Sequence, residues 1–128
     1  VGSEIERGLD VFELQPSAYL SQNEIDAAKT VQYDYLNVQG QPKIVWPASF
    51  ALARAYVDQL ERSNGLSADR ISSVRSGLTS AESATGAQRR TVLTKLAAQL
   101  KSDASGSSDA SKVNMLAGAV GRLAAAPR

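Results

Sequence analysis

Five aromatic residues stand close together in the sequence: Tyr33, Tyr35, Trp46, Phe50 and Tyr56. Of all the side chains in the chain they are the best suited to recognition. They offer flat apolar faces with a polar handle on Tyr and Trp, which can stack on a sugar or seat in a partner's pocket. The same ring types ordinarily fill cores, so the expectation is that they seal residues 32–47 onto neighbouring helices. If that stretch is extended, Tyr33 and Tyr35 share a side and make one face aromatic.

Other chemistry is thinly supported. The chain has no His and no Cys, which removes thiol nucleophiles, disulfides, haem and iron–sulfur ligation, the usual zinc sites and any His-based triad. Glu4, Glu6, Asp10 and Glu13 fall on strand or turn positions whose outward side is polar anyway, and read as solvent-facing rather than as a catalytic carboxylate pair. Asp103 and Asp109, with serines between them, lack the alternating oxygen ligands and distal Glu of a calcium loop. Arg54, Arg62, Arg70, Arg75, Arg89, Arg90, Lys95 and Lys101 are interrupted by Asp58, Glu61, Asp69 and Glu82, and no aromatic residue interleaves with them beyond Tyr56. They read as a solvated surface, and no nucleic-acid partner is expected. No enzyme activity, cofactor or metal is expected.

The elements that must position these residues divide the chain in two. Residues 1–47 carry seven acids against three bases, residues 48–128 eleven bases against six acids, and all seven aromatics precede residue 57. At 128 residues the chain is long enough to bury a core, and no apolar run is long enough for a membrane span. Residues 1–15 form the first unit. Leu9-Asp10-Val11-Phe12-Glu13-Leu14 alternates apolar and acidic residues as a half-buried strand does, and Glu6-Arg7-Gly8 offers a tight turn. Residues 16–47 form the second. Ser21-Gln22-Asn23-Glu24 is a capping box with Leu20 and Ile25 as a hydrophobic staple, predicting a helix to about Val31. After it comes an extended aromatic segment broken by Gly40, Pro42 and Pro47, with Ile44-Val45-Trp46 as a short strand at most.

Residues 48–128 form a helical bundle by pattern. One helix is predicted from about Pro47 to Ser63, with the stripe Phe50, Ala53, Val57, Leu60 and a stop at Asn64-Gly65. A second is capped by Ser67 and carries Ile71, Val74, Leu78 and Ala81, ending at Gly86. A third carries Val92 or Leu93, Leu96 and Leu100, and fades into the flexible composition of residues 102–108. The last is capped by Ser108 or Asp109 and carries Val113, Leu116, Val120 and Leu123. The fold class is therefore mainly α, a bundle of about four to five helices preceded by a short N-terminal β-hairpin or strand.

Two strings carry a family resemblance. Ser3 to Phe12 (SEIERGLDVF), followed by Leu20-Ser21-Gln22-Asn23-Glu24-Ile25, resembles the end of bacterial LVIVD-repeat proteins, and so does Gln41 to Phe50 (QPKIVWPASF) followed by Ala53-Arg54-Ala55-Tyr56. Those are exported, β-propeller-like proteins. The resemblance implies that residues 3–14 correspond to the closing hairpin of a propeller, that a helical tail follows, and that the chain is exported (periplasmic, cell-surface or extracellular). It supplies no catalytic residue. The expectation is thus a non-catalytic structural or interaction module. Its partner would be the parent propeller or another copy of itself, joined through the N-terminal strands, with Val11, Phe12, Tyr33, Tyr35 and Trp46 as contact residues. The alternative is a module that binds cell-wall glycan or a polyanion.

Overall fold

The computed structural model of the chain describes residues 2–4, 8–35 and 37–126, and it is mainly helical. Five helices, α1 (Gln22–Lys29), α2 (Phe50–Arg62), α3 (Ala68–Ser83), α4 (Gly86–Asp103) and α5 (Ala110–Ala125), account for most of its regular structure.

Local chemistry sets the helix starts. Ser21 accepts the Glu24 backbone N–H at 3.2 Å and donates its own backbone N–H to the Glu24 carboxylate at 2.7 Å, completing the expected capping box. Ser67 caps α3 through the Arg70 N–H, and Asp109 caps α5 through the Lys112 N–H at 3.0 Å. The start of α2 differs from expectation. Its cap is Ser49, which accepts the Leu52 N–H at 3.0 Å, so the helix begins three residues after Pro47. A hydroxyl that satisfies an orphan N–H fixes the start more firmly than a proline that merely tolerates one. Gly86 is not a terminator in the expected sense. It opens α4 with φ +53, a conformation open to glycine, while Ala84 and Thr85 make the break.

Helices α2 to α5 close into a ring in which each packs on its chain neighbours and α5 returns to α2. Short connections make successive helices antiparallel. Val57, Leu60, Ile71, Val74, Leu78, Leu93, Leu96, Leu100, Val113, Leu116 and Val120 fill the interior. Phe50, expected there, is half-buried at the edge, its ring flanked by the guanidinium groups of Arg54 and Arg89. Gly65 closes α2 by donating to the Leu60 carbonyl at 2.8 Å, and a Cβ there would meet Leu60 Cδ2 at 2.6 Å, so the turn needs glycine. The serine-rich stretch 102–108 is not the flexible loop its composition suggests. Helix α4 runs through Asp103, Ala104 is buried, and the Ser107 and Ser108 hydroxyls donate to the carbonyls of Gly65 and Asn64 at 2.6 and 3.1 Å. Those serines satisfy the carbonyls at the α2–α3 turn, a use that composition does not reveal.

Helix α1 lies outside the ring and packs on α2, where Ala27 meets Leu52, Ala55 and Ala119. Upstream of it, β1 (Gly2–Glu4) and β2 (Gly8–Asp10) pair antiparallel over three residues each. This ladder touches no helix among the described residues. The short N-terminal β-hairpin expected ahead of the bundle, with its second strand running to Leu14, is not supported. The strand expected over Leu9–Leu14 is not formed, because pairing stops at Asp10 and Val11, Phe12 and Leu14 are all exposed. Alternation makes a strand only where a neighbour covers the apolar face, and none is present here. Ile44-Val45-Trp46 likewise forms no strand, and residues 41–49 are irregular.

Candidate interaction surface

Two adjoining depressions meet at Trp46 and Tyr56. The first is a groove of about 470 Å³ between α1, α2 and α5, with Ala27, Leu52 and Ala55 as its floor and Trp46, Tyr56 and Met115 as its walls. The second runs along Ile44, Val45 and Pro47 to Arg122. Helical spacing explains the floor. Leu52, Ala55, Tyr56 and Gln59 recur at i, i+3, i+4 and i+7, so α2 has a second face opposite its core stripe. Small side chains, Ala55 on that face and Ala27 and Ala28 on α1, leave the space that the groove occupies. Lys112 stands on the rim of the first depression, and Lys43 and Arg122 on that of the second. The one rim carboxylate, Glu24, is already engaged by Arg62 in two hydrogen bonds of 2.7 and 2.9 Å.

The sequence cluster of five aromatics is not a cluster in space. Trp46 and Tyr56 share the groove, Phe50 sits on another side of α2 between two arginines, and Tyr33 and Tyr35 line neither depression. The expectation that these rings seal residues 32–47 onto the helices fails for two of them. Tyr35 is 83% exposed and Tyr33 42%, and residues 31–35 form neither helix nor strand. Val11 and Phe12 are 77% and 73% exposed and line neither depression. Leu52, Ala55, Met115, Lys112 and Arg122 join the surface without having been singled out by sequence. Met115 was the available signal, a long apolar side chain off the α5 stripe.

The charged residues are arranged for structure. Burial pushes the Glu24 carboxyl up, but hydrogen bonds from Arg62, the Ser21 backbone and Gln59 outweigh it and hold its pKa at about 2. Burial likewise raises Asp58, and bonds from Asn23, Ser21 and Arg75 bring it below the ordinary carboxylate value. Arg75 also holds Glu61 low, and Arg54 does the same for Glu82. These contacts tie α1 to α2 (Glu24–Arg62, Asn23–Asp58), α2 to α3 (Arg75 with Asp58 and Glu61, Arg54 with Glu82) and α3 to α4 (Arg70–Asp103). Half of the eight cations that could have formed a polyanion-binding face are therefore committed to carboxylates. Asp103 and Asp109 are committed too, to Arg70 and to the α5 cap. Of the four N-terminal carboxylates considered for catalysis, Glu13 is exposed and Asp10 partly so; Glu4 lies in β1, and Glu6 falls outside the described residues. Among the described residues no helix is long and apolar enough to cross a membrane.

Comparison with family models, with curated proteins and with solved structures returns no match.

Proposed function

We propose that this chain is a non-catalytic interaction module, the helical tail of an exported, β-propeller-like protein, which engages its partner through the apolar residues between Val11 and Trp46. The observation that carries this reading is where exposed apolar bulk falls. Nine of the ten large hydrophobic side chains exposed among the described residues lie in that stretch, and Met115 is the tenth. Exposed apolar bulk gathered in one stretch of chain, with Ile44, Val45 and Trp46 beside one depression, favours an interaction site. The helical ring hides its leucines and is held by caps and ion pairs, which suits a scaffold. The resemblance of residues 3–12 and 41–50 to LVIVD-repeat proteins supports the parent propeller as partner, since the short β1–β2 ladder has free edges that a neighbouring sheet could extend. Hydrogen exchange tests this. In the intact exported polypeptide the amides of residues 11–46 should exchange at least tenfold more slowly than in the isolated chain, while α2–α5 stays the same. Equal rates in both would sink the reading.

A second reading has one observation in its favour. Trp46, the sole tryptophan, is 36% exposed and shares a groove with Tyr56, an arrangement on which a sugar ring could stack. Titration with soluble cell-wall glycan should then shift Trp46 fluorescence saturably. A flat titration to millimolar glycan removes this alternative.

A further inference from the structure

We propose that the Trp46–Tyr56 groove is the receptor for residues Asp10-Val11-Phe12-Glu13-Leu14 of a second copy of this chain, the two copies exchanging these segments reciprocally. This rests on the interaction-module reading and names both halves of the contact. The donor is an apolar stretch bracketed by acids, with Val11, Phe12 and Leu14 all largely exposed. The receptor has the complementary character. Its floor and walls are apolar (Leu52, Ala55, Tyr56, Trp46, Met115), and its rim carries Lys112, Lys43 and Arg122 against one carboxylate, Glu24, that Arg62 already holds. The salt bridge of Lys112 to Asp109 is long, 3.9 Å, so its ammonium can turn toward a better acid. Asp10 and Glu13 of an incoming segment supply two.

A second copy is favoured over insertion within one chain by the course of the backbone. Leu20 lines the groove, and the Ser17–Leu20 bridge just before it turns the chain, leaving Tyr19 and residues 11–14 in solvent. The chain's own segment thus leaves the groove unfilled, although Leu20 six residues beyond Leu14 lines it, and a neighbour's segment can take the place. The area also suffices. A two-fold arrangement makes each contact twice. Two aromatic rings at about 150–250 Å² each, four aliphatic side chains and the groove walls beneath them reach the order of the roughly 1,200–2,000 Å² of a stable interface.

The test is mass by light scattering, read beside Trp46 fluorescence, on the full chain and two surface variants. The chain should be a dimer at micromolar concentration. Phe12→Asp, which spoils the donor, and Met115→Glu, which spoils a groove wall at an exposed position, should each raise the dimer dissociation constant at least tenfold with unchanged helical circular dichroism. Mixed together they should form a heterodimer, because one intact segment still meets one intact groove. A monomeric parent chain overturns the proposal, as does a dimer that neither variant weakens, or a mixture without heterodimer. A monomer in which Phe12→Asp still shifts Trp46 fluorescence also overturns it, in favour of insertion within one chain. Exchange of residues 11–46 is compared at a concentration that keeps the isolated chain monomeric, so failure here is separable from failure of the interaction-module reading.

Discussion

In the ring of α2–α5 every helical leucine is buried, while between Val11 and Trp46 nine large apolar side chains face solvent. The two regions do not differ in having apolar residues but in how these are spaced. A 3.6-residue repeat places Ile71, Val74, Leu78 and Ala81 on one line, so a single helix can bury all of them against its neighbours. The alternation of Leu9 to Leu14 needs a sheet to cover one face, and the short ladder beside it cannot supply one. A helix carries its hydrogen-bond partners within itself, whereas a strand depends on another strand. That dependence is why the apolar surface of the first region stays available to a partner.

The comparison can be broken most directly in the core. Leu78→Ala should destabilise the ring by about 2–5 kcal/mol, since Leu78 is fully buried and its removal leaves a cavity. Leu96→Ala should fall in the same range, although Leu96 packs against the bare face of Gly77 and that site has more freedom to collapse. Urea denaturation measures both. Losses below half a kcal/mol for the pair would mean that the stripes are not what holds the ring.

The junction between the regions should respond to acid. Glu24, the link from α1 to Arg62 on α2, is held at about 2 against an ordinary value of 4.5. The folded state thus binds fewer protons than the unfolded one. The stabilisation is complete above about pH 4.5 and is lost as pH falls through about 2. Arg62 is a third exposed, so solvent screening reduces the gain to roughly 1–2 kcal/mol. Asp58 and Glu61, also held low, act in the same direction. Amide exchange at Ile25 should accelerate over this pH window before exchange at Leu78 does, and Glu24→Gln should flatten much of the dependence. Simultaneous acceleration at both sites would mean that α1 is not separately held.

Helix caps carry the next smaller effect. Ser21→Ala should cost about 1 kcal/mol, felt mainly in α1, because it leaves the Glu24 N–H without its acceptor. Ser67→Ala should cost less, since its bond to the Arg70 N–H is 3.4 Å long. Thr85→Ala should be silent, because Thr85 makes no side-chain cap bond. Thermal melts of the three variants should rank in that order.

What could be read from sequence follows the same division. The helices of the ring, their stripes, and the caps at Ser21, Ser67 and Asp109 were legible because each rests on contacts within a few residues. The Ser49 cap was hidden behind Pro47, and the role of Ser107 and Ser108 depended on carbonyls more than forty residues earlier. The candidate surface was half legible. Trp46 and Tyr56 carry a signal in their own chemistry, but Leu52, Ala55 and Met115 join them only through the packing of α1 and α5 on α2. Sequence proximity misplaced Phe50, because successive positions on α2 point to different sides.

The smallest effect sharpens the comparison most. Tyr35→Ser and Val45→Ser alter side chains that are more than four-fifths exposed, and in the monomer they should change stability by less than about 0.5 kcal/mol. Only Val45→Ser removes apolar area from the groove through which two copies are proposed to assemble. Val45 lines the second depression beside Trp46, so Val45→Ser should weaken association, while Tyr35, which lines neither depression, should leave association through the groove unchanged. Denaturation at a concentration low enough to keep the chain monomeric isolates the first effect, and concentration-dependent light scattering reads the second. A loss above 1 kcal/mol for Val45→Ser in the monomer would mean that residues 43–47 are part of the folded core. The boundary between the two regions would then have to move from Ser49 back toward Gly40.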